Sequence, residues 1–198
     1  MSCRVRVFID FWNYTSNMKR IDQRIKTDWE HIGPALTRKI PEIIKTHLQV
    51  EFQGLNVYGS YDPHSQKNLL TWAEKSLGKV TGASVYMGQR REKKNSIHCK
   101  QCRHTINYCP KCNKKISSTE EKGIDVRMAV DMIKFAWVDN YDVAILVSDD
   151  TDFIPVAELL GTKGIKVVHA TFSDSSLLTY SCWAKIDMRT AREFFEIS

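Results

Sequence analysis

Acidic residues follow two segments that have the composition of buried β-strands. Asp10 ends the first, over residues 4–10, and the run 148–152 follows the second, Val143–Val147. A third acidic residue, Asp125, stands at the start of a helix-like segment. Carboxylates that lie close together repel one another and lose hydration, so a divalent cation between them makes such an arrangement tolerable. Hard oxygen ligands favour Mg²⁺ or Mn²⁺.

These aspartates also have structural interpretations. An aspartate after a strand often caps the N-terminus of the next helix, which is the alternative for Asp10. Asp149, Asp150 and Asp152 could divide capping and solvated positions among them, although three residues cannot all cap one helix. The residues alone leave both interpretations open.

A further aspartate, Asp131, lies in the same helix-like segment as Asp125. It lies six residues after Asp125, which is about 240° further round a helix, so the two residues do not share a face. Arg127 and Lys134 stand at spacings that suit an ordinary salt-bridged surface. The spacing alone therefore favours a structural role for Asp131.

The chain alternates between strand-like and helix-like segments. The segments 143–147 and 165–169 are apolar throughout, which is typical of strands in a parallel sheet that is buried on both faces. Ligands of such sheets bind outside the carboxyl ends of the strands. We predict strands over 4–9, 52–61, 80–87, 143–147, 165–169 and 186–188, and helices within 17–47, over 66–77, 124–138 and 153–160, and within 173–198.

The expected fold class is α/β. We predict a three-layer α/β/α sandwich with a mostly parallel sheet, formed by residues 1–88 and 120–198. A small insert over residues 89–119 interrupts it. If the first and fourth strands are neighbours in the sheet, Asp10 and the acidic run that begins at Ser148 meet at one edge.

The basic charge of the chain is concentrated in and around this insert. Ten of the 29 lysines and arginines, but three of the 23 acidic residues, lie within residues 88–123, so this segment carries +7 and the rest of the chain −1. Such a composition suits phosphate binding, with one ring for base stacking. The alternative is that these residues only keep a loop soluble. The predicted substrate contacts are Arg90, Arg91, Lys93, Lys94, Lys100, Arg103, Tyr108, Lys111, Lys114, Lys115 and Lys122.

Four cysteines of the insert form two Cys-x-x-Cys pairs. Cys99 and Cys102 make the first pair, and Cys109 and Cys112 the second. Four thiolates make a tetrahedral Zn²⁺ site, and a short segment with no apolar core of its own needs such a link to hold a shape. An iron–sulfur cluster and a redox dithiol are the alternatives. His98 and His104 could each replace a thiolate, whereas Cys3 and Cys182 lack partners at ligand spacing.

The composition also excludes classes of protein. No apolar run approaches the length of a membrane span, and the charged first ten residues do not form a signal peptide. We therefore expect a cytoplasmic protein with no membrane partner. Its six cysteines are then ligands or free thiols rather than disulfides.

Three motifs together resemble a known family. They are Phe-Ile-Asp-Phe-Trp-Asn over 8–13, Glu-Lys-Gly-Ile-Asp-Val-Arg-Met-Ala-Val-Asp over 121–131, and Leu-Val-Ser-Asp-Asp-Thr-Asp-Phe over 146–153. Their order and spacing are similar to those of the NYN domain, in the LabA-like branch of the PIN-like ribonucleases. The resemblance covers residues 4–88 and 120–190.

The resemblance implies a set of catalytic residues. Asp10, Asp125, Asp150 and Asp152 would bind the catalytic Mg²⁺ or Mn²⁺, with Asn13 assisting. Asp149 occupies a position where the family usually has glycine, which leaves open whether Asp149 or Asp150 points inward. Asp131 falls on a second acidic position that is common in the family. Ser148 and Lys122 are expected to contact the phosphate or another part of the substrate.

The implied reaction is metal-assisted hydrolysis of a phosphodiester, with no covalent enzyme nucleophile. Our first hypothesis is therefore a metal-dependent endoribonuclease whose zinc-ribbon insert grips single-stranded or structured RNA. The alternatives are a catalytically inactive RNA-binding or scaffold module and a DNA nuclease of the same fold. A basic surface binds phosphate and does not distinguish RNA from DNA. The oligomeric state, a homodimer included, stays open.

Overall fold

A six-stranded parallel sheet forms the middle layer of the molecule. The computed structural model describes residues 2–45, 47–94 and 97–197. The strands are β1 (Cys3–Asp10), β2 (Lys26–Thr27), β3 (Val50–Tyr61), β4 (Ala83–Gln89), β5 (Arg91–Lys94), β6 (Ile97–His98), β7 (Thr105–Ile106), β8 (Ser117–Glu120), β9 (Val143–Val147), β10 (Lys166–Thr171), β11 (Ala184–Asp187) and β12 (Glu196–Ile197). The helices are α1 (Phe11–Ile21), α2 (Ile32–Arg38), α3 (Ile40–Ile43), α4 (Lys67–Lys75), α5 (Ile124–Trp137), α6 (Ile154–Thr162), α7 (Leu177–Tyr180) and α8 (Met188–Ala191).

The strand order of the main sheet is β11-β10-β9-β1-β3-β4, and all five pairings are parallel. The chain builds β3 and β4 on one side of β1, then crosses over to build β9, β10 and β11 on the other side. The direction of winding therefore reverses beside β1. Ile9 pairs with Val147 in the sheet register, so the residues that follow β9 start level with the end of β1.

Helices cover both faces of the sheet. Alternate side chains of β1, such as Val5 and Val7, pack on one face against α1 and α2. Phe8 points to the other face, where it belongs to the same core as Met128 of α5 and Leu160 of α6. These two cores confirm the predicted three-layer α/β sandwich with a parallel central sheet.

The segment 17–47, for which helices were predicted, contains the end of α1, the short strand β2 and the helices α2 and α3. Helix α1 begins at Phe11, directly after β1, because Asp10 caps its N-terminus. Pro34 lies in the first turn of α2 and Pro41 in the first turn of α3. Proline is tolerated at these positions because the first-turn N–H groups lack helical partners.

The basic segment leaves the sheet after β4 and returns at α5. Strands β5 and β8 pair antiparallel as its stem, and β6 and β7 form a hairpin beyond them. The described part of the chain has no helix that is both long and apolar enough to cross a bilayer.

Candidate active site

A cleft of about 380 Å³ lies at the carboxyl ends of β1 and β9. This is the place where the sheet reverses its winding, which is the usual ligand site of open α/β sheets. Among the described lining residues, four carry carboxylates and one, Arg20, is basic. The lining comprises Asp10, Trp12, Asn13, Ser16, Asn17, Arg20, Glu121, Asp125 and Asp150.

Asp10 both caps α1 and lines the cleft. Its Oδ1 accepts hydrogen bonds from the backbone N–H groups of Trp12 and Asn13, each at 3.1 Å. Burial raises the pKa of Asp10 to about 6, and the negative charges of Asp125 and Glu121 add to this, although hydrogen bonds from Asn13 and Ser148 oppose it. The structural interpretation of Asp10 therefore holds, and its carboxylate still faces the other acids.

Ser148 connects the two strand ends. Its hydroxyl donates to Oδ2 of Asp10 at 3.2 Å and accepts the backbone N–H of Asp150 at 3.2 Å. Asp150 in turn caps the short 3₁₀ turn Thr151–Phe153, because its Oδ1 accepts the backbone N–H of Asp152 at 2.9 Å. This chain of bonds places Asp150 in the lining of the cleft.

Asp149 points to a different part of the structure. Its Oδ1 accepts a hydrogen bond from the Thr171 hydroxyl and lies 3.4 Å from Nε2 of His169, which is fully buried. Burial raises the pKa of Asp149, but the hydrogen bonds from His169 and Thr171 outweigh this and hold it below its ordinary value. Asp150 therefore faces the cleft, whereas Asp149 packs towards β10.

Asp125 comes to the cleft from the first turn of α5. Burial raises its pKa, and the charges of Asp150, Glu121 and Asp152 raise it further. Asp152 thus lies within electrostatic range of Asp125, although it is not part of the cleft lining. Gly123, which precedes α5, has a φ of 77°, a left-handed backbone conformation that favours glycine.

Glu121 and Ser60 belong to the site but were missed by sequence reasoning. Ser60 donates its hydroxyl to Oε2 of Glu121 and accepts a hydrogen bond from Nε of Arg90 at 2.8 Å. Ser60 is itself buried near the carboxyl end of β3, and a polar residue close to the end of a predicted strand is a sequence signal that could have been used. Glu121 stands in the quoted motif, one residue before the predicted contact Lys122.

The carboxylate oxygens that line the cleft are the kind of donor that hard divalent cations prefer. In residues 2–45, 47–94 and 97–197, no three His, Cys, Asp or Glu side chains are arranged closely enough to hold one metal ion. The carboxylates of Asp10, Asp125 and Asp150 are close enough, however, for burial and mutual repulsion to raise the pKa of the first two. A cation between them would relieve that repulsion, and oxygen donors alone favour Mg²⁺ or Mn²⁺.

Asp131 lies apart from this group of acids. It is 9% exposed, and its Oδ2 accepts hydrogen bonds from the Tyr58 hydroxyl at 3.1 Å and from Nε of Arg127 at 2.8 Å. The structure does not place it in the cleft lining. Its position is that of a salt-bridged residue between α5 and β3.

The two Cys-x-x-Cys segments fold into equivalent turns. The carbonyl oxygen of Cys99 accepts the N–H of Arg103 at 2.9 Å, and that of Cys109 accepts the N–H of Asn113 at 2.8 Å. Arg103 and Asn113 share a left-handed backbone, with φ of 60° and 54°. Hydrogen bonds from the backbone of Cys102 and Gln101 lower the pKa of Cys99, and those of Cys112 and Lys111 lower the pKa of Cys109.

The predicted substrate-binding residues differ in their surroundings. Arg90 lies at the edge of the cleft, with its guanidinium 5.2 Å from the ring centre of Trp12. Lys93 and Lys122 form ion pairs with Glu120, at 3.2 and 2.8 Å. Tyr108 is 56% exposed. Lys94 and His98 have side chains outside the part that the structure describes. The remaining predicted contacts are exposed on the insert: Arg91, Lys100, Arg103, Lys111, Lys114 and Lys115.

The fold and the acid-lined cleft define an α/β sandwich protein of the PIN-like type. The chain belongs to the NYN domain family, which matches residues 4–186. The NYN domain is part of the PIN-like nuclease superfamily, whose members generally use divalent metals, and this suggests a nuclease role.

One similar solved structure is the crystal structure of a protein of unknown function from Vibrio parahaemolyticus. It is 17% identical, with a TM-score of 0.53, and the match covers 93% of this chain and 92% of the other. This likeness concerns the fold alone. No curated protein matches the sequence.

Proposed function

We propose that this protein is a metal-dependent endoribonuclease of the LabA-like branch that hydrolyses phosphodiester bonds in RNA. The observation that carries the proposal is the cleft at the reversal of the sheet, where Asp10, Asp125 and Asp150 converge with raised pKa for the first two. Membership of the NYN family supports the same reaction class.

Some residues of the cleft would hold the cation, and others would hold these ligands in position. Asp10, Asp125 and Asp150 would hold Mg²⁺ or Mn²⁺, with Asp152 next to them. When bound, such a cation supplies Lewis acidity towards the scissile phosphate and lowers the pKa of water. Ser148 fixes Asp10 and the backbone of Asp150 by hydrogen bonds at 3.2 Å. Asn13 accepts the backbone N–H of Asp149 through Oδ1 at 3.2 Å, which holds the loop after β9 against α1.

Cations at the edge of the cleft are suited to the substrate phosphates. Arg90 lies between Ser60 and Trp12 and is 3.4 Å from Glu121, so its guanidinium has a fixed position. Lys122 extends from the segment just before α5 and pairs with Glu120. Both could contact a strand that crosses the cleft.

The insert is proposed to be a zinc ribbon. Its two turns have the same backbone geometry, and in each turn backbone N–H groups lower the pKa of the first cysteine. A lowered pKa favours the thiolate, which is the form that binds metal. Four thiolates, from Cys99, Cys102, Cys109 and Cys112, would complete a tetrahedral site. Such a closed site is structural rather than catalytic.

The test of catalysis is a cleavage assay on labelled RNA and DNA with Mg²⁺, Mn²⁺ or EDTA. We expect RNA cleavage with either cation, loss of cleavage in EDTA, and loss of cleavage in Asp150→Asn with RNA binding retained. The matched control is Asp139→Asn, which changes an exposed aspartate in a left-handed turn far from the cleft. Unchanged cleavage by Asp150→Asn would overturn the catalytic proposal, and equal cleavage of DNA would overturn the assignment of RNA as the preferred substrate.

The test of the zinc ribbon is elemental analysis of the purified protein. We expect about one zinc per chain, as one four-thiolate site requires. The double variant with Cys99→Ser and Cys102→Ser should lose it, whereas Cys182→Ser, outside the insert, should keep it. Folded protein without zinc would overturn the proposal.

One observation favours the second candidate, an RNA-binding module without catalysis. Within the described residues, no three acidic, histidine or cysteine side chains are arranged to hold an ion. This candidate predicts RNA binding that depends on the insert, and no cleavage with either cation. The assay above therefore distinguishes the two candidates directly.

A further inference from the structure

A cavity of about 450 Å³ lies beside the acidic cleft and is walled by three of the five tryptophans of the chain. Trp12 comes from α1, Trp29 from the segment after β2, and Trp72 from α4. All three are only partly buried. Large rings in a core are normally covered by other side chains, so partly exposed rings around a cavity leave aromatic surface free for a ligand.

The rings form one connected cluster. Phe11 stacks on Trp29 with ring centres 6.1 Å apart and an angle of 23° between the planes. Trp29 meets Trp72 edge to face at 5.9 Å, and Phe11 meets Trp12 in the same manner at 5.1 Å. Such packing holds the walls in place before any ligand binds.

Trp12 connects the cavity to the acidic cleft. It lines both spaces, so the two spaces adjoin at this side chain. Its indole N–H donates to the carbonyl oxygen of Ser60 at 2.8 Å, and the guanidinium of Arg90 lies 5.2 Å from its ring centre. A ligand in the cavity and a phosphate at the cleft would therefore be neighbours.

The charge of the cavity is opposite to that of the cleft. Lys19 and Lys26 contribute to its lining, and no acidic residue is among the described residues that line it. An aromatic cavity with two cations at its walls suits a flat, uncharged ring system that is attached to phosphate. Its volume falls in the ordinary range of small-ligand sites, about 300–1,000 Å³.

We propose that this cavity binds one unpaired nucleobase of the RNA strand whose backbone crosses the acidic cleft. The proposal rests on the proposed ribonuclease function and narrows its substrate class to RNA that is single-stranded at the cleavage site. A base inside a duplex is stacked and paired, so it cannot enter an aromatic cavity without leaving its helix. Stacking on indole rings accepts any base, and the cavity therefore confers preference for unpaired strands rather than for a sequence.

The experiment measures binding in EDTA, so that it does not depend on cleavage. A labelled single-stranded RNA that is just long enough to span the cleft and the cavity, and so binds in one register, is compared with copies that each lack one base, moved along the strand. For the unaltered protein we expect that removal of the base at one position weakens binding about fivefold or more, which is the usual worth of one stacked base. Annealing the RNA to its complement should remove the same contribution.

Variants of Trp72 assign this effect to the cavity. Trp72→Leu should bind the complete RNA and the copy without that base equally, whereas Trp72→Phe, which keeps a ring, should retain most of the difference. Trp183→Leu is the matched control, because Trp183 is 64% exposed and precedes β11 at the other edge of the sheet. Circular dichroism and thermal unfolding establish whether each variant is folded.

The outcomes separate this proposal from the proposed function. Affinity of the unaltered protein that is insensitive to every missing base overturns the cavity proposal, whether or not Trp72→Leu folds. Undiminished sensitivity in folded Trp72→Leu also overturns it. Sensitivity to one base without any cleavage in Mg²⁺ or Mn²⁺ supports the cavity and rejects the nuclease.

Discussion

Ser148 and Asp10 are 138 residues apart in the chain, and the Ser148 hydroxyl donates to Oδ2 of Asp10 at 3.2 Å. Ser148 is 2% exposed, and its oxygen also accepts the backbone N–H of Asp150. One hydroxyl therefore positions two of the proposed metal ligands, one at the end of β1 and one in the segment that follows β9. Because it donates to the ionised carboxylate, it also lowers the pKa of Asp10 against the effect of burial.

The first prediction concerns this hydroxyl. Ser148→Ala should lower kcat/KM for RNA cleavage by about 10–100-fold, the usual effect of removing a group that orients metal ligands. Steady-state cleavage at saturating Mg²⁺ measures the loss. Ser175→Ala, an exposed serine on the loop after β10, is the control and should cleave normally. Full activity of Ser148→Ala would show that Asp10 needs no positioning by Ser148.

The second prediction separates the adjacent aspartates. Asp149→Ala should lower the free energy of unfolding by about 1–3 kcal/mol, because it leaves the hydroxyl of buried Thr171 without its acceptor and removes a carboxylate 3.4 Å from His169, whose Nε2 keeps the Ser148 carbonyl as a partner at 2.8 Å. Asp150→Asn should change stability much less, since asparagine also caps helical turns, yet it should abolish cleavage. Urea unfolding and the cleavage assay measure the two effects. The reverse pattern would mean that Asp149 is the residue that faces the cation.

The difference between these two aspartates was beyond sequence reasoning. The apolar strand Val143–Val147 was predicted with the bounds that the structure has, and its position beside β1 brings the acidic run that follows it to the end of β1, where Asp10 and Asp150 line one cleft. Which of two consecutive aspartates turns inward depends on His169 and Thr171, which lie on β10. Such partners are set by tertiary contacts, and local patterns carry no information about them.

The tryptophan-walled cavity illustrates the same limit. Periodicity predicts α4 and its neighbours, but Trp12, Trp29 and Trp72 stand in three segments with no common pattern in the sequence. They meet because α1 and α4 pack with the segment after β2 on one face of the sheet. A helix over the whole of Phe11–Ile21 was also not predicted, although the interpretation of Asp10 as an N-cap implies a helix that begins there.

The third prediction concerns stability in acid. The side chain of Asp142 accepts three hydrogen bonds from Arg4, at 2.7–3.0 Å, and the Arg4 side chain is the main cause of the lowered pKa of Asp142. Because the pKa of Asp142 is lower in the folded protein than in the unfolded chain, ionised Asp142 stabilises the fold at pH values above about 3.9, the ordinary pKa of an aspartate. This contribution is lost as the pH falls through the lowered pKa of the folded protein. Because both side chains are partly exposed, we expect a contribution of about 1 kcal/mol or less.

The measurement for this pair is the free energy of unfolding of Asp142→Asn at about pH 6 and about pH 3. The variant should be less stable than the unaltered protein at the higher pH, and the difference should shrink at the lower pH. Glu51→Gln removes an exposed carboxylate and serves as the control. A difference that is constant across this range would show that the ion pair does not contribute to the acid sensitivity.

The fourth prediction tests whether the charge of the insert serves RNA binding. Lys111, Lys114 and Lys115 are exposed around the second cysteine turn, away from the cleft. If each contacts one phosphate, changing all three to glutamine should make the dependence of log Kd on log salt shallower by about 2, because each contact on a single strand contributes about 0.7. The cleavage rate at saturating RNA should change little, since none of the three lines the cleft. The matched control changes Lys163, Lys166 and Lys185, at the opposite edge of the sheet, to glutamine. An equal change of slope in both triple variants would mean that the insert acts only through net charge, and an unchanged slope in the insert variant would mean that these lysines merely keep the loop soluble.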